Sequence, residues 1–169
     1  MKRRELFGSL VSSFRGEKQE SLIIRPPYYQ DETDFHKNCI DCIDKPCISV
    51  CEEQIIKLLD DGTPSIDFTI TGCTYCDDCA KACEKDVLKV ENLSNINASI
   101  NIDILKCFSW NQTMCFSCKD PCIDDAIEFL GMFRPEIIQD KCTSCGFCVR
   151  VCPAGAITIS ANNQKEENI

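Results

Sequence analysis

Short apolar blocks recur along the chain and flank groups of cysteine. Three of these groups are preceded by alternating or paired apolar residues, which predict short half-buried strands. These residues are Ile66, Phe68 and Ile70, then Ile100, Ile102 and Ile104, then Ile137 and Ile138. A further apolar pair begins four residues after the last cysteine of each group, and we expect it to form the core contacts of a short helical turn. The pairs are Ile55 and Ile56, Val87 and Leu88, Ala126 and Ile127, and Ala156 and Ile157. The pattern therefore predicts a repeated unit of strand, cysteine loop and short helix.

Sixteen cysteines in a chain of 169 residues make these loops the dominant feature of the sequence. They form four quartets, whose first members are 34, 34 and 35 residues apart, and such a fixed period marks an internal repeat. The quartets are Cys39, Cys42, Cys47, Cys51; Cys73, Cys76, Cys79, Cys83; Cys107, Cys115, Cys118, Cys122; and Cys142, Cys145, Cys148, Cys152. We expect an N-terminal arm over residues 1–38, cysteine modules over 39–106 and 107–160, and a disordered tail over 161–169.

Charge and the first residues bear on the compartment and the partners. The formal net charge of −9 opposes a nucleic-acid partner, because phosphate binding requires a basic surface. No run approaches the roughly 18 apolar residues of a membrane span. Arg3 and Arg4 resemble a twin-arginine export signal, but polar residues from Ser12 to Lys18 replace its apolar stretch. We therefore expect a cytoplasmic protein, whose cysteines serve as metal ligands rather than disulfides.

The fourth quartet, CTSCGFCVRVCP, has the CxxCxxCxxxCP spacing with which bacterial ferredoxins bind a 4Fe-4S cluster. Its fourth cysteine ligates the cluster of a second motif, so quartets of this kind work in pairs. Four quartets predict four 4Fe-4S clusters, with all sixteen cysteines as iron ligands. The predicted fold class is α+β, with two bacterial 2[4Fe-4S] ferredoxin-like modules of short strands and helices around the clusters.

Other uses of the cysteines are less consistent with the sequence. A disulfide scaffold requires an oxidising compartment. Structural zinc usually takes two CxxC pairs per ion, and four quartets would supply more cysteines than such sites use. The first quartet carries two additional residues before Cys47, and the third places seven residues between Cys107 and Cys115. A three-iron cluster, or none, is the alternative at these two quartets, but neither lacks a ligand.

A resemblance to a known family begins in the segment before the first quartet. Its residues are Ile24-Arg25-Pro26-Pro27-Tyr28, Asp31-Glu32 and Phe35. With the seven-residue gap of the third quartet, they resemble NapF-type ferredoxins, accessory proteins of the periplasmic nitrate reductase system, over residues 24–159. The resemblance implies a cytoplasmic protein with several 4Fe-4S clusters. It also implies a partner, the molybdenum-containing catalytic subunit of nitrate reductase, whose maturation before export it would assist. The alternative is a permanent electron-transfer subunit of a respiratory oxidoreductase complex.

Ligand pairing has two alternatives, sequential and nested. The first quartet is similar to the second motif of dimethyl-sulfoxide-reductase-type electron-transfer subunits, which pairs with the motif after it. That resemblance implies sequential pairing and leaves nested pairing open. Sequential pairing joins Cys39, Cys42 and Cys47 with Cys83; Cys73, Cys76 and Cys79 with Cys51; Cys107, Cys115 and Cys118 with Cys152; and Cys142, Cys145 and Cys148 with Cys122.

Few other residues suggest chemistry. A cube held by four thiolates leaves no position for a substrate, so we expect an electron carrier and not an enzyme. We interpret His36 as an exposed polar residue, Trp110 as packing over a cluster, and Asp124-Asp125 as the solvated first turn of a helix. Residues 1–18 carry a net charge of +3 and apolar residues at helical spacing. They predict an amphipathic helix that docks a partner or packs on the chain's own cluster domain.

Overall fold

The computed structural model describes residues 23–162, so the predicted amphipathic helix in residues 1–18 and most of the tail lie outside the described residues. Within this range, short helices and strands alternate along the chain. The helices are α1 (Pro46–Ser49), α2 (Asp78–Lys81) and α3 (Phe147–Arg150), with a π-helical turn at Phe35–Cys39 and a 3-10 turn at Val90–Asn92. The strands are β1 (Ile56–Leu58), β2 (Pro64–Ile66), β3 (Ala98–Ile102), β4 (Ile127–Leu130), β5 (Phe133–Ile137) and β6 (Ile157–Ala161). This composition is a ferredoxin-like α+β fold.

All the strand pairs of residues 23–162 are antiparallel. Two are hairpins, β1–β2 and β4–β5, which connect one quartet to the next. The third, β3–β6, joins the strand before the third quartet to the strand after the fourth, with Ala98 opposite Ala161 and Ile102 opposite Ile157. A comparable connection closes the first half of the chain, where the backbone N–H of Lys89 donates to the carbonyl of Tyr28 at 2.8 Å.

The apolar pairs after each quartet are buried, as the repeat predicts, but the predicted helical turn at these pairs is wrong. Ile56, Ile127 and Ile157 each begin a strand. The residue directly before each apolar pair explains the difference. It is the third residue after the last cysteine, and in all four units its positive φ turns the chain into an extended path. These residues are Gln54, Asp86, Asp125 and Gly155, with φ between 49° and 56°. The helices lie inside the quartets instead, before the last cysteine.

The predicted strands before the quartets are shorter than the alternation suggests. β2 ends at Ile66 and β3 ends at Ile102. Ile70 and Ile104, the next residues in each alternating series, are 58 % and 52 % exposed. The loop that leads into each of these two quartets therefore begins earlier than expected, and the last isoleucine of each series lies in that loop rather than in the core.

Two hydrophobic clusters form the core of the described residues. The first includes Tyr28, Phe35, Ile56 and Leu88, and the second includes Ile100, Ile127 and Ile157. Ile159 of β6 packs against both clusters and so joins them. The segment before the first quartet is part of the first cluster, where Arg25, Tyr28 and Phe35 are at most 2 % exposed. In residues 23–162 there is no helix of the length and apolar character needed to cross a membrane.

Candidate metal centres

Local backbone geometry positions the third cysteine of three quartets. Each helix follows a residue in the left-handed conformation, which is Lys45 before α1, Asp77 before α2 and Gly146 before α3. The reversal turns the helix inward, and the cysteine it carries is buried in each case. These cysteines are Cys47, Cys79 and Cys148. Cys118, the third cysteine of the remaining quartet, is buried in a turn.

The fold brings the sixteen thiols into four sets, each of which takes three members from one quartet and one from its sequence neighbour. We name them by their order in space. Set A is Cys39, Cys42, Cys47 and Cys83; set B is Cys51, Cys73, Cys76 and Cys79; set C is Cys122, Cys142, Cys145 and Cys148; set D is Cys107, Cys115, Cys118 and Cys152. These sets have the composition that sequential pairing implies.

Three of the sets surround a cavity. All four thiol residues of set B line one cavity, together with Ile56 and Ile66 of the first hairpin. The residues of set C line a second cavity beside Ile127 and Ile137, and those of set D line a third beside Ile157. Most of the other residues that line the three cavities are apolar, although Glu52 and Glu53 also line the first and Asp124 the second.

Set A is held by a lysine. The ammonium of Lys45 donates to the carbonyl of Cys39 and, at 2.6 Å, to the carbonyl of Cys42. This contact closes the first quartet's loop, which is two residues longer than the ferredoxin spacing. The longer loop therefore still presents its thiols toward Cys83, and burial, followed by the charge of Cys83, raises the pKa of both Cys39 and Cys47.

The third quartet's seven-residue gap is also an ordered loop. The hydroxyl of Ser109, which is 1 % exposed, donates to the carbonyl of Cys115 at 2.7 Å. The side-chain amide of Asn111 donates to the carbonyl of Cys107 at 2.8 Å. The gap is thus fastened to both cysteines that it separates, and Cys107 and Cys115 reach the same cavity.

Backbone amides point at the sulfur of the last cysteine in three quartets. The N–H of Leu88 donates to Sγ of Cys83 at 3.4 Å, that of Ala126 to Cys122 at 3.3 Å, and that of Ala156 to Cys152 at 3.3 Å. Each donor belongs to the buried apolar pair that follows the quartet. Such bonds stabilise a thiolate and are one of the factors that set the potential of an iron–sulfur cluster.

The thiols lie in buried positions, where ionisation is unfavourable unless a positive charge balances the thiolate. Burial, reinforced by neighbouring thiolates, raises the pKa of Cys79 and of Cys148 to about 12. Burial and the charges of Cys83, Cys39 and Cys42 raise the pKa of Cys47 to about 11. Coordination to iron removes this cost, because a metal-bound thiol is deprotonated and its charge is balanced.

The donor set fits an iron–sulfur cube. All sixteen cysteines are free thiols, and within residues 23–162 no three His, Cys, Asp or Glu side chains converge as the ligands of a single metal ion do. In sets B, C and D the four thiols instead stand around a common space, as the corners of a cube require. Thiolate sulfur is the ligand by which proteins hold 4Fe-4S clusters.

The structure also gives the positions of His36, Trp110 and Asp124-Asp125, which the sequence analysis interpreted without assigning them as ligands. The side chain of His36 is 54 % exposed and its Nδ1 lies 3.9 Å from a carboxylate oxygen of Asp61. The indole N–H of Trp110 donates to the carbonyl of Pro135 at 3.1 Å, which fixes its ring to β5, and Trp110 does not line the cavity of set D. The predicted helix at Asp124-Asp125 is wrong, because the positive φ of Asp125 directs the chain into β4.

Some residues of the centres were not predicted from the sequence. Lys45 is visible only as a basic residue before Pro46 in the elongated first loop. Gly72 and Gly146, each next to a cysteine, are the only signal of a close contact between the second and fourth quartets. That contact is a 2.7 Å hydrogen bond from the N–H of Cys73 to the carbonyl of Cys145.

The fold and the four thiol sets define a ferredoxin-type iron–sulfur protein, and comparisons with known proteins specify the family. Residues 135–158 match the family model of the 4Fe-4S binding domain. Ferredoxin-type protein NapF of Escherichia coli K12 is 32 % identical over 80 % of this chain and 83 % of its own length. NapF of Haemophilus influenzae is 32 % identical over 96 % of this chain and 93 % of its own. The methylamine utilization ferredoxin-type protein MauM of Methylorubrum extorquens is 30 % identical over 84 % of this chain and 73 % of its own length. The chain belongs to the NapF family of ferredoxin-type proteins.

Proposed function

We propose that this chain is an electron-transfer and accessory protein that carries four 4Fe-4S clusters, one in each of sets A to D. The observation that carries the proposal is the exchange of one cysteine between sequence-neighbouring quartets. Because that exchange links the quartets in pairs, we propose two 2[4Fe-4S] ferredoxin-like modules, over residues 39–106 and 107–160. A cluster held in this way stores and releases one electron at a time.

The chain's own residues would hold and tune the clusters. The sixteen thiolates supply every iron ligand, so no iron position remains for a substrate, and we propose a carrier rather than an enzyme. The amides of Leu88, Ala126 and Ala156 stabilise charge on sulfur. Apolar walls, such as Ile56 and Ile66 beside set B, limit the access of water.

Metal and sulfide analysis of anaerobically purified protein tests the cluster count. We expect about sixteen iron and sixteen sulfide ions per chain, with visible absorption that bleaches on reduction. About twelve of each would leave one of the irregular quartets without a cluster. Zinc in place of iron, with no acid-labile sulfide, would contradict the proposal.

We propose further that the protein works in the cytoplasm on the molybdenum-containing catalytic subunit of the periplasmic nitrate reductase before that subunit is exported. Membership of the NapF family supports this role. An anaerobic pull-down from cells respiring nitrate should recover the catalytic subunit in its unexported form. Recovery of a membrane-bound respiratory complex in stoichiometric amount, resistant to high salt, would instead indicate a permanent electron-transfer subunit.

A truncation separates partner binding from cluster binding. Deleting residues 1–18, which carry the positive charge of the N-terminal arm, should leave the iron content unchanged and weaken recovery of the catalytic subunit. The matched control is the full chain with the five apolar residues Leu6, Phe7, Leu10, Val11 and Phe14 of the arm changed to Ser, which retains the charge. Equal recovery with all three proteins would rule out a role for the arm.

A further inference from the structure

The four thiol sets follow one another in a single order. Within the first half, Cys47 of set A and Cys79 of set B belong to one buried cluster, and the helices α1 and α2 that carry them are in contact. Within the second half, Cys118 of set D and Cys148 of set C belong to the other buried cluster. Between the halves, Cys73 of set B is hydrogen-bonded to Cys145 of set C. The spatial order is therefore A, B, C, D, although the order of the quartets in the chain does not reveal it.

The contact between sets B and C is a direct one between ligand residues. The N–H of Cys73 donates to the carbonyl of Cys145 at 2.7 Å. This gives a path that runs from Sγ of Cys73 through its own Cβ, Cα and N–H, across one hydrogen bond, and out through Cys145 to its Sγ. No other side chain is interposed along this path.

Three side chains hold the two halves together around this contact. The phenol of Tyr75 donates to the carbonyl of Thr143 at 2.5 Å and accepts from the N–H of Ile96 at 3.0 Å. The hydroxyl of Ser144, which is 5 % exposed, donates to the carbonyl of Ala98 at 2.5 Å. Phe68 is buried and lies against Gly146. The junction is thus built from several independent contacts rather than from one.

Glycine at two positions permits the close approach. A Cβ on Gly72 would stand 2.5 Å from the backbone nitrogen of Phe147 and 2.6 Å from the carbonyl oxygen of Cys145. Both are backbone atoms, which cannot move aside as a flexible side chain can. A Cβ on Gly146 would overlap the ring of Phe68. A side chain at either position would therefore force the halves apart.

We infer that the junction between Gly72-Cys73 and Cys145-Gly146 is an electron-transfer contact, so that the two proposed modules work together as one four-centre relay. With clusters bound, Cys73 and Cys145 would be the ligands through which one electron passes between sets B and C, in either direction. A low-potential one-electron donor at one half can thereby supply an acceptor at the other. This inference rests on the four clusters proposed above.

Gly72→Ala tests the inference in the full holoprotein, with Gly131→Ala as the matched control. Gly131 lies in the β4–β5 turn, where an added Cβ meets nothing within 4 Å. The measurement is the electron paramagnetic resonance of dithionite-reduced protein, because neighbouring reduced clusters broaden each other's signals and shorten each other's relaxation times. We expect Gly72→Ala to lose the B–C part of this interaction while the A–B and C–D parts persist. Gly131→Ala should match the unmodified protein.

The iron content distinguishes failure of the inference from failure of the proposed function. An unmodified protein with fewer than four clusters would contradict the proposed function. A Gly72→Ala protein with full iron and an unchanged spectrum would overturn the relay alone. If Gly72→Ala fails to retain iron, the anomalous scattering of iron in crystals of the unmodified protein decides the matter. The clusters of sets B and C must then form the nearest pair between the halves, and any other nearest pair would overturn the inference.

Discussion

The guanidinium of Arg25 donates a hydrogen bond from Nη1 to the hydroxyl of Thr63 at 2.7 Å. The same nitrogen donates to the carbonyl of Pro64 at 2.8 Å, and the Thr63 hydroxyl donates to a carboxylate oxygen of Asp61 at 2.7 Å. Arg25 is 2 % exposed and Thr63 is fully buried. A buried polar chain therefore ties the segment before the first quartet to the β1–β2 turn, and the arginine lies over the ring of Phe35 at 4.8 Å.

Thr63→Val should weaken the first half of the protein. Valine keeps the shape of threonine but removes the hydroxyl, so the buried guanidinium and the Asp61 carboxylate each lose one hydrogen bond, while the bonds to the Pro64 carbonyl and from the Thr63 backbone N–H remain. The expected loss is about 1–3 kcal/mol of unfolding free energy. Anaerobic urea unfolding followed by circular dichroism measures it. Thr63→Ser retains the hydroxyl and should lose less, so equal losses in the two variants would assign the effect to packing instead.

Arg25 should also raise the reduction potential of the centre in set A. Burial raises the pKa of Cys39, while the charges of Lys45 and Arg25 act in the opposite direction, so both cations lie close enough to stabilise negative charge at this set. Reduction adds a negative charge, which a buried cation favours. Arg25→Met should therefore lower the midpoint potential of one cluster, and Arg25→Lys should restore part of it. A redox titration followed by electron paramagnetic resonance resolves the clusters, and four unchanged potentials in Arg25→Met would contradict this expectation.

The sequence predicted the repeat and the buried apolar pairs because both are visible as a period in the chain. It misplaced the helices because the left-handed residues that direct the chain, three positions after each last cysteine, share no residue type: they are Gln54, Asp86, Asp125 and Gly155. The contact between Cys73 and Cys145 uses backbone atoms, which leave no side-chain pattern. Arg25 could be read only as part of a family motif, since its partner Thr63 lies 38 residues away and looks like an ordinary turn residue.

The Asp61 carboxylate should make part of the stability pH-dependent. Hydrogen bonds from the hydroxyl and the backbone N–H of Thr63 lower the pKa of Asp61 below its ordinary value of 3.8. A carboxyl group whose pKa is lower in the folded state stabilises that state fully at pH values above its unfolded pKa. This stabilisation is lost as the pH falls through the folded pKa. Asp61→Asn should therefore have a lower free energy of unfolding than the unmodified protein at about pH 5 to 7, where the carboxylate is ionised, as measured by anaerobic urea unfolding. The difference in unfolding free energy between the two proteins should narrow below about pH 4. A constant difference across the pH range would contradict a stabilising role of the ionised Asp61.

Removal of the clusters should unfold both halves. The third cysteines of the quartets form part of the hydrophobic clusters, as Cys47 and Cys79 do in the first and Cys148 does in the second. Without iron these sites bring four thiols around an empty apolar space, and metal binding is then coupled to folding. Anaerobic treatment with ferricyanide and a chelator should abolish the visible absorption and the circular dichroism together. Reconstitution with iron, sulfide and thiol reductant should restore both, whereas a compact colourless protein would show that the polypeptide folds without its clusters.

Double cysteine variants should identify which quartets share ligands. Cys107 and Cys152 both line the cavity of set D, although they belong to different quartets. Changing both to Ala should therefore remove one cluster and leave about twelve irons per chain, as either single change does. Cys39 belongs to set A, so Cys39→Ala combined with Cys152→Ala should remove two clusters and leave about eight irons. Nested pairing, in which the first quartet shares ligands with the fourth, reverses the two results. Each double variant is thus the control for the other, and iron analysis after anaerobic purification separates the two arrangements.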